Sequence, residues 1–272
     1  MPKLSVVVIT KNEEKNILRC LESVKPVADE IVVVDSGSDD QTTRICGELG
    51  CKVFSREFDG YGLQKQFAVN QASNDWVLSI DADEVVSEEL KAELVGIFGS
   101  QGHRVKESQG HIENGPEKTE NQNELPDGYQ IPFSLFFMGR ILRHGGVGHE
   151  FHLRLFNRLR GGFTTVPVHE GIEVKGHVGF LRGCIIHYSY RDISHHLEKI
   201  NTYTSQAAGG YLSRGKSFTK MQVVLKFPVS FFSHYIIKRG FLDGYPGFIW
   251  SFLGAVYATL KVAKTIELIR SS

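Results

Sequence analysis

The sequence lacks a net charge, because its 31 Lys and Arg residues are balanced by 31 Asp and Glu residues. No overall positive potential is available to attract a nucleic acid, and no nucleic-acid partner is predicted. The four cysteines, Cys20, Cys46, Cys51 and Cys184, form no CxxC pair and are interpreted as reduced thiols rather than as disulfides or a metal site. The N-terminal residues lack a basic stretch followed by a long apolar stretch, so we expect no secretory signal and a cytoplasmic location.

A glycine-rich phosphate loop is also missing after the first predicted strand. Residues 4–9 (LSVVVI) form an almost continuous apolar run, typical of a strand buried on both faces of a parallel sheet. Residues 10–13 (TKNE) follow without a glycine. The absence of GxGxxG argues against a dinucleotide-binding oxidoreductase, and the absence of any glycine argues against a nucleotidyltransferase.

Similar strand patterns recur at residues 30–34, 52–54 and 75–80, and a helical pattern at residues 62–72 precedes the last of them. Strands that alternate with helices predict βαβ units. The sequence therefore predicts the α/β class, with a doubly wound, mostly parallel but mixed sheet and helices on both faces.

Polar residues follow three of these strands, at residues 10–13, 35–40 and 81–84. Because ligands bind beyond the carboxyl ends of the strands in such sheets, we expect the three clusters to share one site. Asp81 and Asp83 can direct two carboxylates to one point, and oxygen ligands of this kind suit Mg²⁺ or Mn²⁺. An acidic turn that caps the next helix is the alternative interpretation.

Composition divides the rest of the chain. Residues 99–127 are rich in Gln, Glu, Asn, Gly and Lys and predict a disordered insertion, with a lid or a solvated surface loop as alternatives. Residues 128–190 alternate short apolar runs with glycines and predict strands of a mixed region. The predicted organisation is one α/β domain at residues 1–215 and a C-terminal helical region at residues 216–272.

Aromatic and cationic residues mark this C-terminal region. Residues 244–260 are uncharged, but as a helix they would be only about 26 Å long, short of the ~30 Å that spans a bilayer. Six Lys and Arg residues between residues 221 and 272 outnumber two acidic residues. The pattern predicts amphipathic helices that lie in a membrane interface, with a helical pair buried against the rest of the protein as the alternative.

Three motifs resemble those of family 2 glycosyltransferases with the GT-A fold: residues 9–13 (ITKNE), 34–40 (VDSGSDD) and 75–84 (DWVLSIDADE). The resemblance covers nearly the whole chain outside residues 99–127. Later segments resemble the branch that builds lipopolysaccharide core, of the WaaE/KdtX glucosyltransferase type; they are residues 140–146, 154–156, 168–170, 187–190 and 241–244.

The resemblance implies an inverting enzyme that transfers a sugar, such as glucose, from a UDP-sugar to a lipid-linked saccharide, such as lipopolysaccharide inner core. Direct displacement needs a base for the acceptor hydroxyl and a stabiliser, here Mg²⁺ or Mn²⁺, for the departing diphosphate. Glu170 is the first candidate for the base, followed by Glu150 and Glu84. His187 is either a third metal ligand or a core histidine. The expected metal ligands are Asp81, Asp83 and His187.

The nucleotide-sugar is expected to contact the three strand ends. Asp35 would accept a hydrogen bond from the base or the ribose, and Gly37 would allow close backbone approach; a turn that caps a helix is the alternative for this segment. Gln64 and Lys65 either face the nucleotide or are exposed polar residues of a helix. The predicted set is Thr10, Asn12, Glu13, Asp35, Ser36, Gly37, Gln64, Lys65, Asp81 and Ala82.

The expected partners are therefore a UDP-sugar, a lipid-linked saccharide and a membrane surface. The chain is expected to be peripheral on the cytoplasmic face of the inner membrane, where a cationic helical region meets anionic lipid. A non-catalytic protein that binds a nucleotide-sugar or a glycan at the membrane is the alternative from a different class.

Overall fold

A computed structural model describes residues 2–99, 125–148, 150–164 and 171–271. The chain forms two compact units, the first comprising Met1–Phe133 and Phe151–Ile186 and the second comprising Ser134–Glu150 and His187–Ser272. The sequence predicts a boundary at residue 215, and that boundary stays a prediction. Most of the predicted insertion, residues 100–124, lies outside the described part of the chain.

Strands and helices alternate as far as residue 98: β1 (Leu4–Thr10), α1 (Ile17–Val24), β2 (Glu30–Asp35), α2 (Thr42–Glu48), β3 (Lys52–Ser55), α3 (Tyr61–Gln71), β4 (Trp76–Asp81), β5 (Glu84–Val86) and α4 (Glu88–Phe98). Strands then predominate: β6 (Gly128–Phe137), β7 (Arg140–Leu142), β8 (Phe151–Asn157), β9 (Gly161–Phe163), β10 (Ile172–Val174), β11 (Val178–Phe180) and β12 (Ile185–His187). The end of β6 and all of β7 belong to the second unit.

The main sheet has the strand order β3-β2-β1-β4-β8-β6-β12-β5. Its first four strands are parallel, with β1 between β2 and β4. Strand β8 runs antiparallel to both β4 and β6. The predicted α/β architecture of the GT-A fold, with a mostly parallel but mixed sheet, is confirmed.

Strand β1 shows why the parallel half of the sheet is buried on both faces. Val6 and Val8 pack into a cluster with α1 and α4, whereas Val7 packs into a second cluster with α3. Successive residues of a strand point to opposite faces, so the continuous apolar run fills both layers. The helices hold the sheet from both sides and leave the strand ends as its polar edge.

The second unit is mainly helical. It contains α5 (Ile193–Ser213), α6 (Lys220–Phe232), a π-helical turn (Ser233–Ile237), a 3₁₀ turn (Gly240–Asp243) and α7 (Gly244–Ser271). A capping box formed by Thr219 and Gln222 begins α6. Within the described residues, every helix is too short or too polar to cross a bilayer.

Candidate active site

The carboxyl ends of β1, β2 and β4 bring the three predicted polar clusters together. In the parallel pairing, Thr10 lies opposite Asp35 and Ile9 lies opposite Asp81. The backbone N–H of Ser36 donates to the Thr10 carbonyl at 2.9 Å. Parallel strands end at the same edge, so residues far apart in sequence become neighbours there.

Two loops at this edge are tied to each other by side chains. The Asn12 N–H donates to Ser38 Oγ at 2.8 Å, and Asn12 Oδ1 accepts from the Asp39 N–H at 2.9 Å. The Glu13 N–H donates to Thr42 Oγ1 at 2.8 Å. Asn12 adopts a left-handed backbone conformation with φ 54°, which asparagine tolerates better than most residues. These bonds give Asn12 and the Glu13 backbone a structural part in shaping the edge.

Asp35 organises the turn that follows it. Its Oδ2 accepts from the N–H groups of Gly37 and Ser38 at 2.9 and 2.8 Å, and its Oδ1 accepts from the Ser38 hydroxyl. Gly37 has φ 83°, in the region that glycine adopts without strain. The turn expected as the alternative at Asp35 is therefore present, and contact with a base or ribose stays a prediction.

Two buried oxygens at this edge have no hydrogen-bond partner among the residues described: Thr10 Oγ1 and Gln64 Oε1. Gln64 Nε2, in contrast, donates to Ser36 Oγ at 3.0 Å and to the Arg56 carbonyl at 3.2 Å. Buried polar atoms are nearly always satisfied, and leaving one unsatisfied costs about 1–3 kcal/mol. A polar ligand at the strand ends would remove that cost.

Helix α3 places Gln64 and Lys65 at the edge of the sheet. The alternative that both are exposed polar residues of a helix is therefore wrong. Gln64 is fully buried, and Lys65 Nζ lies 2.7 Å from Asp81 Oδ1 with its side chain largely shielded from solvent. Lys65 therefore fixes one oxygen of the first carboxylate of the Asp81-Ala82-Asp83 motif.

Arg154, on β8, holds the other side of the acidic cluster. Its Nη2 lies 2.9 Å from Glu84 Oε1 and 3.5 Å from Asp81 Oδ2, and its guanidinium lies 4.9 Å from the centre of the Phe133 ring. Burial alone would lower the pKa of Arg154, but the charges of Glu84, Asp81 and Asp83 raise it. The guanidinium therefore stays charged and neutralises the acids beside it.

Glu84 is only 1 % exposed, and it also accepts a hydrogen bond from the Asp81 N–H at 2.8 Å. This pairing favours a positioning role for Glu84 over the predicted role as a base. The alternative helix cap at the acidic motif is not observed, because Ser87 caps α4 by accepting from the Leu90 N–H. The Ala82 side chain lies in the core, so any ligand would meet its backbone.

Three further residues are predicted for the site. Glu150 and His187 belong to the second unit, where His187 Nδ1 lies 2.9 Å from Ser189 Oγ. Glu170 lies outside the described residues. Among the described residues, no group of three or more His, Cys, Asp or Glu side chains is placed to hold a metal ion. The ligand set Asp81, Asp83 and His187 thus stays a prediction.

Arg154 has no predicted role, although residues 154–156 are part of the resemblance. A usable signal was present, because Arg154 stands between Leu153 and Leu155 in a strand pattern. An arginine within an apolar strand needs a buried acidic partner. The partner itself, Glu84, is 70 residues away and could not be identified from local pattern.

Residues 5–158, which include all the strand ends just described, match the family described as "Glycosyl transferase family 2". The chain belongs to the family 2 glycosyltransferases. It is 30% identical to "Lipopolysaccharide core biosynthesis glycosyltransferase LpsC" of Rhizobium meliloti, over 98% of this chain and 94% of that protein. It is 32% identical to "Uncharacterized glycosyltransferase RT0209" of Rickettsia typhi, over 98% of this chain and 88% of that protein.

A solved structure of glucosyl-3-phosphoglycerate synthase from Mycobacterium tuberculosis, in complex with Mn²⁺, uridine diphosphate and glucosyl-3-phosphoglycerate, is 32% identical to this glycosyltransferase. The likeness covers 31% of this chain and 34% of that chain, with a TM-score of 0.29. An overlap so short, at so low a score, carries no argument about the ligands of this chain.

Proposed function

We propose that this glycosyltransferase transfers a sugar, such as glucose, from a UDP-sugar to a lipid-linked saccharide, such as lipopolysaccharide inner core, with inversion at the anomeric carbon. The observation that carries the proposal is the edge at which β1, β2 and β4 end. It gathers two buried oxygens without a described hydrogen-bond partner, one of them from the buried amide of Gln64, and an acidic cluster held by two cations. The name of the Rhizobium relative supports the choice of acceptor.

The part of this edge around Thr10, Ser36 and Gln64 suits the nucleoside of a UDP-sugar. Thr10 Oγ1 and Gln64 Oε1 offer hydrogen bonds that the described residues do not use, and Ser36 lies between them through its bonds to the Thr10 carbonyl and to Gln64. A base or ribose carries donors and acceptors that can pair with these atoms. In our proposal Asp35 and Gly37 shape the turn that receives it.

The acidic cluster at the end of β4, which consists of Asp81, Asp83 and Glu84, fits a divalent metal. Asp81 and Asp83 supply the oxygen ligands that Mg²⁺ or Mn²⁺ prefers. Asp81, Asp83 and Glu84 lie beside the cations Lys65 and Arg154, whose ion pairs hold Asp81 and Glu84 in place. The bound metal would supply positive charge to the departing diphosphate. Lys65 and Arg154 orient Asp81, and Glu84 anchors Arg154.

Transfer also needs a base for the acceptor hydroxyl. We propose Glu170 for this role, because it belongs to the segment at residues 168–170 that resembles the lipopolysaccharide-core branch. Glu150, which directly precedes β8, is the second candidate. Glu170→Gln and Glu150→Gln keep the size of each side chain and remove its basicity. The variant that loses transfer but still binds the nucleotide-sugar identifies the base.

A panel of nucleotide-sugars tests the donor. UDP-glucose with Mn²⁺ should raise the melting temperature of the chain, because a ligand at 100 times its Kd stabilises the folded state by about 2.7 kcal/mol. GDP-, dTDP- and ADP-glucose serve as matched competitors that differ only in the base. A response to NAD alone, or one that needs no divalent cation, would contradict the proposal, and binding without turnover would favour the non-catalytic alternative.

Helix α6 and the π-helical turn after it carry an exposed apolar stripe that suits a lipid surface. Leu225, Val229, Phe232 and Ile236 recur at helical spacing and are all exposed. Lys226, Lys238 and Arg239 flank them. Exposed apolar side chains beside cations are typical of a helix that rests on an anionic leaflet. We propose that this surface holds the enzyme at the cytoplasmic face of the inner membrane, where a lipid-linked acceptor lies.

The double variant Val229→Glu/Phe232→Glu is expected to lower binding to vesicles containing phosphatidylglycerol at least tenfold. The two side chains are 63% and 56% exposed, and burying each in lipid contributes about 1.5–3 kcal/mol. Cosedimentation measures the bound fraction. Leu159→Glu is the control, because Leu159 is 70% exposed but lies in the first unit. Equal binding of both variants would contradict a role for α6.

A further inference from the structure

A cavity of about 200 Å³ lies in the second unit between α5 and α7. Tyr190, Tyr203, Trp250 and Tyr257 line it, and His196 forms part of its wall. All of these residues lie outside the strand-end site. The cavity is therefore a second candidate binding site, and its walls are mainly aromatic.

His196 carries an unused hydrogen-bonding atom in this wall. The side chain is 5% exposed, and its Nδ1 has no partner within the part of the chain that the structure describes. Its ring is stacked on Tyr190 with 3.8 Å between centroids and is tilted over Trp250 at 5.5 Å. Burial, with smaller effects of Lys199 and His195, lowers the pKa of His196 to about 4. The imidazole is thus neutral near pH 7, and its Nδ1 can donate or accept one hydrogen bond, depending on the tautomer.

Gly254, on α7, keeps the cavity open. Glycine within a helix costs roughly 1 kcal/mol relative to alanine, so a helical glycine usually has a packing reason. Gly247 has one, because a Cβ there would lie 2.0 Å from the Gly240 carbonyl oxygen. Gly254 has no such packing reason, because a Cβ there would meet no atom within 4 Å. A larger side chain at Gly254 would instead occupy space at the cavity that it lines.

The chemistry of the walls selects the ligand. Lys199 is the cation at the cavity, but its Nζ already donates to the Ser189 carbonyl at 2.9 Å and lies 5.4 Å from the centre of the Tyr190 ring. With a neutral imidazole beside it, the wall of the cavity supplies a single positive charge, and its other side chains are uncharged. An acyl chain would leave His196 Nδ1 without a partner. A sugar ring presents apolar C–H faces to aromatic rings and hydroxyls that both donate and accept.

We propose that this cavity binds one uncharged sugar ring of a saccharide ligand. The volume suits a single ring, since a cavity of roughly 150 Å³ holds benzene. The inference rests on the proposed function in one respect, because a transferase with a saccharide acceptor has a use for a sugar-binding site away from its donor. The recognised sugar is then a unit of that acceptor.

Methyl glycosides of glucose, galactose, mannose and N-acetylglucosamine are the probes. Trp250 is one of two tryptophans in the chain, and its fluorescence should change saturably at millimolar glycoside, the range expected for a single ring. Gly254→Leu fills the space and should weaken this binding at least tenfold. Gly209→Leu is the matched control, because Gly209 is also helical with open space at its Cβ but does not line the cavity.

The outcomes separate this inference from the proposed function. Both leucine variants should keep the increase in melting temperature that UDP-glucose with Mn²⁺ produces. If the wild type showed no such increase, that result would count against the proposed UDP-sugar donor alone. No saturable change up to about 100 mM of any glycoside would overturn the sugar site. Equal affinity in the two variants, or a response to hexanol instead of glycosides, would do the same. Should Gly254→Leu not fold, Tyr203→Ala replaces it, because that half-exposed rim residue can be truncated without opening the core.

Discussion

Replacing Asp83 with asparagine is expected to lower the rate of sugar transfer about a thousandfold, the upper range for losing one group that stabilises developing charge. Asparagine keeps the size of the side chain but removes a negative charge from the acidic cluster at the end of β4. In the proposed site that charge helps to hold the divalent cation beside the departing diphosphate. Initial rates with a radiolabelled UDP-sugar and a lipid-linked acceptor, at several Mn²⁺ concentrations, measure the effect.

Glu22→Gln is the control for this variant, since Glu22 is an exposed acid on α1, away from the strand ends. It should transfer at the wild-type rate. Asp83 is partly exposed in a turn, so Asp83→Asn should keep the wild-type melting temperature without ligand. If Asp83→Asn instead transferred as fast as Glu22→Gln with the same Mn²⁺ dependence, the acidic motif would not be the metal site.

The parallel half of the fold was predictable because its signals are local. Residues 4–9 and 30–34 are mostly buried on both faces, so their apolar runs are nearly continuous. The strands β1 and β2 differ from the prediction by one residue at one end. The polar clusters that follow them needed only one further rule, that parallel strands end at one edge. This is why Thr10, Asp35 and Asp81 could be placed together from sequence.

The antiparallel half was less predictable. The segment at residues 128–190 indicates short strands, but nothing local shows that β8 inserts between β4 and β6. That order depends on pairing between residues about 80 positions apart, such as Trp76 with Asn157. The same limit concealed the ion pairs of the acidic cluster, because Lys65 is predicted at the nucleotide or on an exposed helix face and Arg154 has no predicted role.

Two segments that resemble the lipopolysaccharide-core branch have a structural role in this fold. Residues 140–146 and 241–244 were linked to the lipopolysaccharide-core branch without an assigned role. In the second unit the buried carboxylate of Asp243 accepts from the N–H groups of Arg143 and His144 at 3.0 and 2.7 Å. A carboxylate that satisfies two backbone donors stabilises a loop. The two segments are therefore joined by hydrogen bonds in the fold.

Replacing Arg154 with methionine is expected to lower the free energy of unfolding by about 3–5 kcal/mol, because it breaks the buried ion pair between Arg154 and Glu84 by removing the cation. Methionine approximates the apolar stem of arginine, so packing against Phe133 is largely kept. Most domains have only about 5–15 kcal/mol of stability, so the loss should be evident as a lower midpoint in urea denaturation. The acidic cluster would also lose one of the two cations that orient Asp81.

A double variant separates charge from packing. Glu84→Gln keeps an acceptor for the Asp81 N–H but removes the negative charge of the buried carboxylate. Arg154→Met/Glu84→Gln should therefore recover roughly half of the stability that Arg154→Met loses. Arg160→Met is the matched control: its ion pair with Asp127 is long, at 3.8 Å, and the Arg160 side chain is 66% exposed, so the change should stay within about 0.5 kcal/mol. If Arg154→Met were no more destabilising than Arg160→Met, Glu84 would find another partner on losing Arg154, and the ion pair would not be what anchors the acidic motif.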